Sequence, residues 1–373
     1  MPAISIVIPM FNAEKYIGEC LDSLLNQTFM DFEVIVVDDC STDNSRAVVE
    51  GYGEKFGRRL ILSKTKKNSG SPAEPCNIGI AISRGDYLFF MDNDDALTPT
   101  ALEELFDVAK DFDADVVACE KFYCVPQEFW HDAEFRNTLK PDSYKQGSFV
   151  SSPTLLSDDL SERTNDYNQV KFLWPVWTKF IKRDFLAENQ IRFEPSIVSD
   201  LIFTTCLIFS AKRWLRVPNA FYYWRMRTDS LSNGKKDLGK YLSAYSRALT
   251  TGFSCLDKFL ADIEFFRQNP SAKYIVLKTY ADHILQGYFS EIYSQILDAE
   301  LYETLATFDE LFRKEFSGGE VALTAYLFNM LNACRVEDLR LQKRVEDLEK
   351  TAREDKAYIS ELENFIAKSL NKE

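Results

Sequence analysis

Short apolar runs alternate with amphipathic stretches through roughly the first third of the chain. The runs, rich in β-branched and aromatic residues, lie at 4–9, 32–37, 60–62, 87–91 and 116–118. The stretches between them space apolar residues as a helix does, and they cover 14–27, 42–56, 73–83 and 98–111. Buried strands that alternate with helices are typical of a parallel sheet covered on both faces. The pattern predicts an α/β fold with a mostly parallel sheet, whose ligands bind at the carboxyl ends of the strands.

The pattern changes twice further along the chain. Residues 121–171 are more polar and predict a connector with little regular structure, whereas 174–224 predict a second lobe with a helix near 201–210 and a strand pair near 214–224. Beyond Asn233-Gly234, long amphipathic patterns predict an α-helical region. We therefore expect a first domain at 1–232, with halves at 1–120 and 121–232, an α-helical appendage at 233–334 and a tail at 335–373.

The tail carries a heptad pattern. Its positions fall at alternating steps of four and three residues, an average of 3.5, and apolar residues fill them at Leu341, Val345, Leu348, Ala352, Ile359, Leu362 and Ile366. Asp355 and Ser369 interrupt the pattern. Such spacing is a coiled-coil signature, and β-branched residues at one position with Leu at the other favour a parallel dimer. The tail is predicted to be a coiled-coil-like helix that forms a homodimer. A helix folded against its own body and a disordered tail remain alternatives.

Composition excludes several classes of function. A net charge of −14 argues against binding to a nucleic-acid backbone, and a hydrophobic fraction of 46% excludes global disorder. The eight Cys and two His lack the close spacing of a zinc site, which favours reduced thiols in a cytoplasmic protein. No secretory leader and no membrane-spanning run are expected from the sequence. An anionic ligand stays compatible with the acidic chain if a divalent cation is bound with it.

Acidic residues cluster where two of the predicted strands end. Asp38-Asp39 follows the second strand, and the 92–95 segment (DNDD) follows the fourth. Carboxylates that meet at one sheet edge need a compensating cation or hydrogen-bond donors. Oxygen ligands without His or Cys suit Mg²⁺ or Mn²⁺, which commonly share coordination with substrate phosphates. The alternative is that 92–95 is only a solvated turn before the next helix.

A series of short motifs runs through about 1–232, at 5–12 (SIVIPMFN), 36–45 (VVDDCSTDNS), 68–72 (NSGSP), 77–79 (NIG), 85–95 (GDYLFFMDNDD), 177–179, 192–193, 199–203 and 222–232. In this order the motifs resemble family 2 glycosyltransferases, in particular enzymes that decorate wall teichoic acid or build capsular and surface polysaccharides. The resemblance implies a GT-A fold, a UDP-sugar donor, and Mn²⁺ or Mg²⁺ as cofactor.

The resemblance also implies roles for individual residues. Phe11 would stack on the base beside Pro9 and Asn12, Asp39 would accept a hydrogen bond from uracil, Asp92 would lie near the ribose, and Asp94 would coordinate the metal. Further nucleotide-sugar contacts would come from Asn68, Gly70, Pro72, Asn77, Asn93, Asp95, Lys179 and Arg227. Cys76 stands where such enzymes often have Arg, and Ser199 stands where Glu usually precedes the catalytic Asp.

Asp200 would be the catalytic base. An acceptor hydroxyl must lose a proton as it attacks the anomeric carbon, and a carboxylate within hydrogen-bond reach can take it. A single displacement inverts the anomeric centre. The alternative for Asp200 is a first-turn acid favoured by the dipole of its helix.

The implied function is a metal-dependent inverting transferase for a hexosyl or N-acetylhexosaminyl group, acting on a glycan or lipid-linked acceptor in bacterial surface polysaccharide biosynthesis. A lipid-linked acceptor would bring the protein to the inner face of the cell membrane. Two alternatives remain: a sugar-nucleotide nucleotidyltransferase, and a non-catalytic assembly protein with a degenerate site. The nucleotidyltransferase would be expected to have a Gly-rich basic loop after the first strand, which the segment 10–13 (MFNA) lacks.

Overall fold

The computed structural model describes residues 1–142, 150–227, 244–245 and 247–295, with side chains to 285. These residues lie in one unit, Met1–Phe308, and a second unit is Asp309–Glu373. The predicted coiled-coil tail, the appendage beyond 295 and residues 230–232 of the last motif lie outside the described residues. The predicted domain boundary at 232–233 also falls there and stays a prediction.

The first half of the sheet is parallel, as the alternating pattern predicts. Its strands are β1 (Ile4–Met10), β2 (Phe32–Asp38), β3 (Leu60–Lys64) and β4 (Tyr87–Phe90). They pair in the order β3-β2-β1-β4 with all strands parallel. Every residue of β1, β2 and β4 is buried, in agreement with their mostly apolar sequences.

The second half makes the sheet mixed. It adds β5 (Ala96–Leu97), β6 (Val116–Pro126), β7 (Thr154–Leu155), β8 (Lys179–Lys182) and β9 (Trp214–Met226). The order continues β4-β8-β6-β9-β5, with β7 also on β9. β8 runs antiparallel between β4 and β6, while β6 and β9 are parallel. Two predictions were wrong. The segment 121–171, expected to have little regular structure, contains the end of β6, helices at 133–138 and 160–168 and the strand β7. The segment 214–224 is one strand rather than a pair.

Helices cover the sheet and extend the unit beyond it. Those in the first half are α1 (Ile17–Leu25), α2 (Ser45–Gly51), α3 (Gly53–Phe56), α4 (Ala73–Ile82) and α5 (Ala101–Asp111). Then follow α6 (Ala133–Thr138), α7 (Leu160–Asn168), α8 (Arg183–Glu188), α9 (Ser199–Ser210), α10 (Phe253–Asp262), α11 (Glu264–Gln268) and α12 (Pro270–Gln295). None of the described helices has both the length and the apolar character needed to cross a bilayer.

A cluster of three phenylalanines connects β4 with α9. Phe193 and Phe203 stack with ring centroids 3.9 Å apart and an interplanar angle of 5°. Phe90, the last residue of β4, contacts both rings edge-on at 5.1 and 5.8 Å. Asp92 follows Phe90 by two residues and Asp200 precedes Phe203 by three. Packing of these rings therefore holds the segments that carry the two acids in one arrangement.

Candidate active site

The carboxyl ends of β1, β2 and β4 form the edge at which the predicted site residues meet. Met10 is paired with Asp38, and the Asp39 amide donates a hydrogen bond to the Met10 carbonyl at 2.7 Å. The side-chain amide of Asn93 donates to the Pro9 carbonyl at 2.9 Å. The structure thus brings the segments 9–12, 38–39 and 92–95 together, as expected for neighbouring parallel strands.

Phe11 and Asn12 form the loop above β1. The Phe11 side chain is 46% exposed, which is unusual for a large apolar ring and suits a platform for a flat ligand. Asn12 adopts a left-handed backbone conformation with φ of 48°. Its side-chain oxygen accepts from the Thr42 amide at 2.8 Å, and its own amide donates to the Ser41 hydroxyl at 3.0 Å. The exposed Phe11 ring is therefore part of a loop that hydrogen bonds hold in place.

Asp39 lies buried under the loop that follows β3. Its carboxylate accepts hydrogen bonds from the Thr65 hydroxyl at 2.8 Å and from the amide and hydroxyl of Ser69. The Asn68 side chain donates to the Asp39 carbonyl at 3.1 Å and accepts from the Gly70 amide at 2.9 Å. Gly70 has φ of 75°, which a side chain would disfavour. These bonds fold the 65–70 loop over Asp39, and Pro72 then precedes α4.

The turn 92–95 is anchored on several sides. The Cys20 thiol donates to the Asp92 carbonyl at 3.6 Å. The Asp95 carboxylate is buried and accepts from the Tyr222 hydroxyl at 2.7 Å and from the Arg225 amide at 2.8 Å. Among the described residues, none donates a hydrogen bond to the carboxylate of Asp92. A turn that was only solvated would not make these hydrogen bonds to the rest of the protein. The 92–95 turn is therefore a fixed part of the sheet edge.

Two arginines from the end of β9 reach this turn. Arg227 binds the Asp94 carboxylate through Nε at 2.7 Å and lies over the Tyr16 ring at 4.3 Å. Arg225 is buried, donates to Glu19 at 2.6 Å and lies 3.7 Å from the centre of the Trp130 ring. Positive charge beside the acidic turn therefore comes from a strand more than 120 residues away in sequence.

Electrostatic interactions place Asp92, Asp94, Asp200 and Cys76 in one site. Burial, followed by the nearby charges of Asp94 and Asp200, raises the pKa of Asp92 to about 8, and Arg227 opposes the shift. Burial and then the charges of Asp200 and Asp92 raise the pKa of the Cys76 thiol well above its usual range. The carboxylates that the sequence placed in separate motifs are therefore close enough to repel one another.

Asp200 lies in the first turn of α9, yet its side chain does not cap that helix. Its carboxylate accepts a hydrogen bond from the Val176 amide at 3.1 Å. Burial raises the pKa of Asp200, while the Val176 amide and Lys179 oppose the shift. A carboxylate with a raised pKa is a better proton acceptor than an ordinary exposed one. An acid that only interacts with the dipole of its own helix would not need this hydrogen bond from Val176.

The side chains of Asn77 and Lys179, which the resemblance implied as contacts to the nucleotide sugar, make hydrogen bonds within the protein. The Asn77 side chain donates to the Phe193 carbonyl at 2.8 Å and accepts from the Phe193 amide at 2.9 Å. Lys179 is buried, and its ammonium donates to the carbonyls of Leu173 and Pro175 and to the Thr178 hydroxyl. Both side chains therefore hold the protein chain around the site, and the sequence motifs gave no sign of these bonds.

Tyr222 is a site residue to which the sequence assigned no role. Its hydroxyl accepts from the Asp92 amide at 3.0 Å and donates to Asp95. The signal in the sequence was the aromatic run 221–224 (FYYW), which by itself reads as a buried strand. The pairing of β9 with its neighbouring strands decides which of these rings faces the acidic turn. That pairing register could not be read from the sequence alone.

The described residues contain no group of three or more His, Cys, Asp or Glu side chains arranged to hold a metal ion. The donor set still fits Mg²⁺ or Mn²⁺ in a shared site, because such ions are bound by one or two carboxylates together with water and substrate phosphates. Asp94 is the carboxylate that fits this role, and the mutual repulsion of Asp92, Asp94 and Asp200 would be relieved by a cation.

Comparison with known families shows a similarity over the first part of the chain. Residues 5–156 match the sequence model described as "Glycosyl transferase family 2". This part of the chain is similar to glycosyl transferase family 2. The matched residues carry β1 to β4 and the 92–95 turn, so the matched segment contains the parallel half of the sheet.

Curated proteins similar to this chain include named glycosyltransferases. The chain is 43% identical over 230 residues to the poly(ribitol-phosphate) β-glucosyltransferase of Bacillus spizizenii, covering 61% of this chain and 32% of the relative. It is 27% identical over 234 residues to the uncharacterized glycosyltransferase EpsJ of Bacillus subtilis, covering 62% and 63%. The chain therefore spans less than two thirds of the length of these two relatives.

A solved structure shows the same fold. The Staphylococcus aureus protein TarS, residues 1–349, in complex with UDP-GlcNAc superposes with a TM-score of 0.61 at 22% identity. The match covers 84% of this chain and 82% of that one. The α/β architecture with its mixed sheet is thus the GT-A arrangement that the sequence motifs implied.

Proposed function

We propose that this chain transfers a sugar from a UDP-sugar to a hydroxyl group of a glycan or lipid-linked acceptor in bacterial surface polysaccharide biosynthesis. The observation that carries the proposal is the convergence of Asp92, Asp94 and Asp200 at the carboxyl edge of the sheet. A site of this kind has one acid placed for the donor, one for a cation and one for a proton.

Each end of the donor has suitable side chains at this edge. The exposed Phe11 ring offers a stacking surface for the base, and the Asp39 carboxylate, with three donated bonds, retains a lone-pair site for a uracil N–H. Asp92, whose carboxylate receives no hydrogen bond from the described residues, is open to ribose hydroxyls. The Asn68–Gly70 loop and Pro72 would close over the nucleotide, and Asn93 and Asp95 would hold the turn.

The proposed cofactor is Mn²⁺ or Mg²⁺ at Asp94. When bound, such an ion supplies positive charge to the diphosphate, where negative charge develops as the nucleotide departs. Arg227 already pairs with Asp94 and would bring a guanidinium to the same diphosphate. The acidic chain, with a net charge of −14, would otherwise repel a nucleotide sugar.

Asp200 is the proposed general base. It would accept the proton of the acceptor hydroxyl as that oxygen attacks the anomeric carbon on the face opposite the nucleotide, which inverts the configuration. The β-glucosyl product named for the Bacillus spizizenii relative is what inversion of an α-linked donor gives. The proposed location is the cytoplasm, and a lipid-linked acceptor would bring the enzyme to the inner face of the cell membrane.

Substitution of Asp200 by Asn tests the proposal. The variant keeps the shape of the side chain but removes its basicity, so we expect UDP binding to be retained and turnover to fall by about 10²–10⁴-fold. Release of UDP from a panel of UDP-sugars with Mn²⁺ and a glycan acceptor measures turnover, and calorimetry measures UDP binding.

Asp184→Asn is the matched control. Asp184 is likewise an acid in the first turn of a helix, α8, and its side chain is 69% exposed. We expect its replacement to leave turnover within about twofold, as for surface substitutions. Full turnover by Asp200→Asn would reject Asp200 as the base, and absence of UDP-sugar turnover by the unaltered chain would reject the transferase itself.

A further inference from the structure

We propose that the Tyr222 hydroxyl is a positioning group that sets the shape of the acidic turn 92–95 for binding the donor diphosphate. The inference rests on the proposed function, which it deepens by adding a residue outside the motif acids. Tyr222 would touch neither donor nor acceptor. It would act through Asp92 and Asp95, whose backbone and side chain it binds.

The two hydrogen bonds at this hydroxyl fix its direction. The Asp92 amide can only donate, so at 3.0 Å it uses a lone pair of the Tyr222 oxygen. The single hydroxyl hydrogen is then left for the Asp95 carboxylate, 2.7 Å away. One oxygen therefore joins the first residue of the turn to the last. The second oxygen of Asp95 accepts from the Arg225 amide, which adds a second link to β9.

The ring that carries this hydroxyl is itself immobile. Tyr222 is buried, and its ring stacks on Trp177 at 4.5 Å with an interplanar angle of 14°. The ring of Phe89 in β4 also contacts it, with ring centroids 6.3 Å apart and an interplanar angle of 52°. On the backbone, Tyr222 pairs with Leu97 of β5, directly after the turn. Packing therefore fixes the oxygen to within the tolerance that a hydrogen bond requires.

The position of Asp94 depends on this arrangement. Asp94 lies between the two residues that the hydroxyl joins, and its carboxylate is held on the other side by Arg227 at 2.7 Å. Loss of the hydroxyl would leave the Asp92 amide without its acceptor and remove one donor from the buried Asp95 carboxylate. The turn would then sample other shapes, and Asp94 would meet the donor diphosphate less often in the binding geometry.

Tyr222→Phe is the test, with Tyr223→Phe as matched control. Both changes remove one hydroxyl from adjacent residues of β9. The Tyr223 ring stacks on Tyr123 at 5.0 Å. Because side chains of adjacent strand residues point to opposite faces of a sheet, the Tyr223 hydroxyl lies on the face opposite that of Tyr222. We expect Tyr222→Phe to raise two quantities about 10- to 100-fold: the KM for the UDP-sugar and the Mn²⁺ concentration that gives half-maximal turnover. This is the range expected for the loss of hydrogen bonds to a charged group. Tyr223→Phe should change neither by more than about twofold.

Hydrogen exchange gives a readout that does not depend on catalysis. The amides of residues 91–95 should exchange faster in Tyr222→Phe than in Tyr223→Phe, because the Asp92 amide loses its acceptor. Equal exchange in the two variants would overturn the inference whether or not the chain turns over UDP-sugars. Faster exchange with unchanged KM and Mn²⁺ dependence would overturn it as well, since the turn would then be loosened without consequence for the donor.

A double-mutant cycle with Asp95→Asn identifies the partner. If Tyr222 acts through Asp95, the double variant should be no worse than the more affected single variant. Additive losses would contradict action through Asp95. A wild-type chain without UDP-sugar turnover would reject the proposed function, whereas an active wild-type chain with equivalent Tyr222→Phe and Tyr223→Phe variants would reject only this inference.

Discussion

At the scale of single residues, the environment of Cys76 gives a prediction. Burial and the charges of Asp200 and Asp92 raise the pKa of its thiol, so its reactive thiolate is scarce at pH 8. We expect iodoacetamide to modify Cys76 of the native chain at least about 10-fold more slowly than the partly exposed Cys40. Peptide mass spectrometry measures both rates, and the urea-unfolded chain, where the two should react alike, is the control. Fast native modification of Cys76 would contradict the closed, acidic environment described for it.

Individual site residues also show which contacts the sequence could predict. The spacing of Asp92 and Asp94 after an apolar strand was sufficient to predict acids at a sheet edge. Their partners were not predictable, because Arg227 and Tyr222 come from a strand more than 120 residues later. The three protein acceptors of the buried Lys179 ammonium were not predictable either, because they depend on the folded path of residues 173–178.

Elements were predicted well where local pattern decides and poorly where pairing decides. The four parallel strands and their helices follow from apolar runs alternating with helical periodicity. The extension of β6 to Pro126 does not, because buried and partly exposed residues follow no regular alternation in 121–126. This segment is held as a strand by its pairing with β9, with register shifts near Lys121. The connector prediction failed there because tertiary pairing overrides local polarity.

Packing of α4 on β1 gives a prediction at the element scale. A Cβ at Gly79 would lie 2.2 Å from a methyl group of Val7, a fully buried residue of β1. Gly79→Ala should therefore push α4 away from the sheet and lower the free energy of unfolding by about 1–3 kcal/mol. Urea denaturation measures the change.

Gly53→Ala, in the short helix α3, is the matched control. Nothing lies within 4 Å of a Cβ there, and no positive φ opposes a side chain. The free energy of unfolding should stay the same or rise by up to about 1 kcal/mol, since Ala favours helix over Gly. An equal response of the two variants would mean that α4 does not rest on β1 as closely as described.

At the scale of the whole molecule, the acidic composition of the chain agrees with the acidic site that the fold forms. A chain with net charge −14 concentrates three mutually repelling carboxylates at one sheet edge, beside Arg227. This arrangement suits a ligand that arrives with a cation, and it favours the proposed transferase over a scaffold with a degenerate site. The heptad tail at 335–373 lies outside the described residues, so the predicted homodimer stays a prediction from sequence.

The most direct measurement is a crystal structure with UDP and Mn²⁺, located by its anomalous signal. We predict the ion beside Asp94, the diphosphate next to it at the carboxyl edge of β1, β2 and β4, and the uracil against Phe11. An ion and nucleotide bound in another crevice, with the edge around Asp92 and Asp94 unchanged, would contradict the central claim.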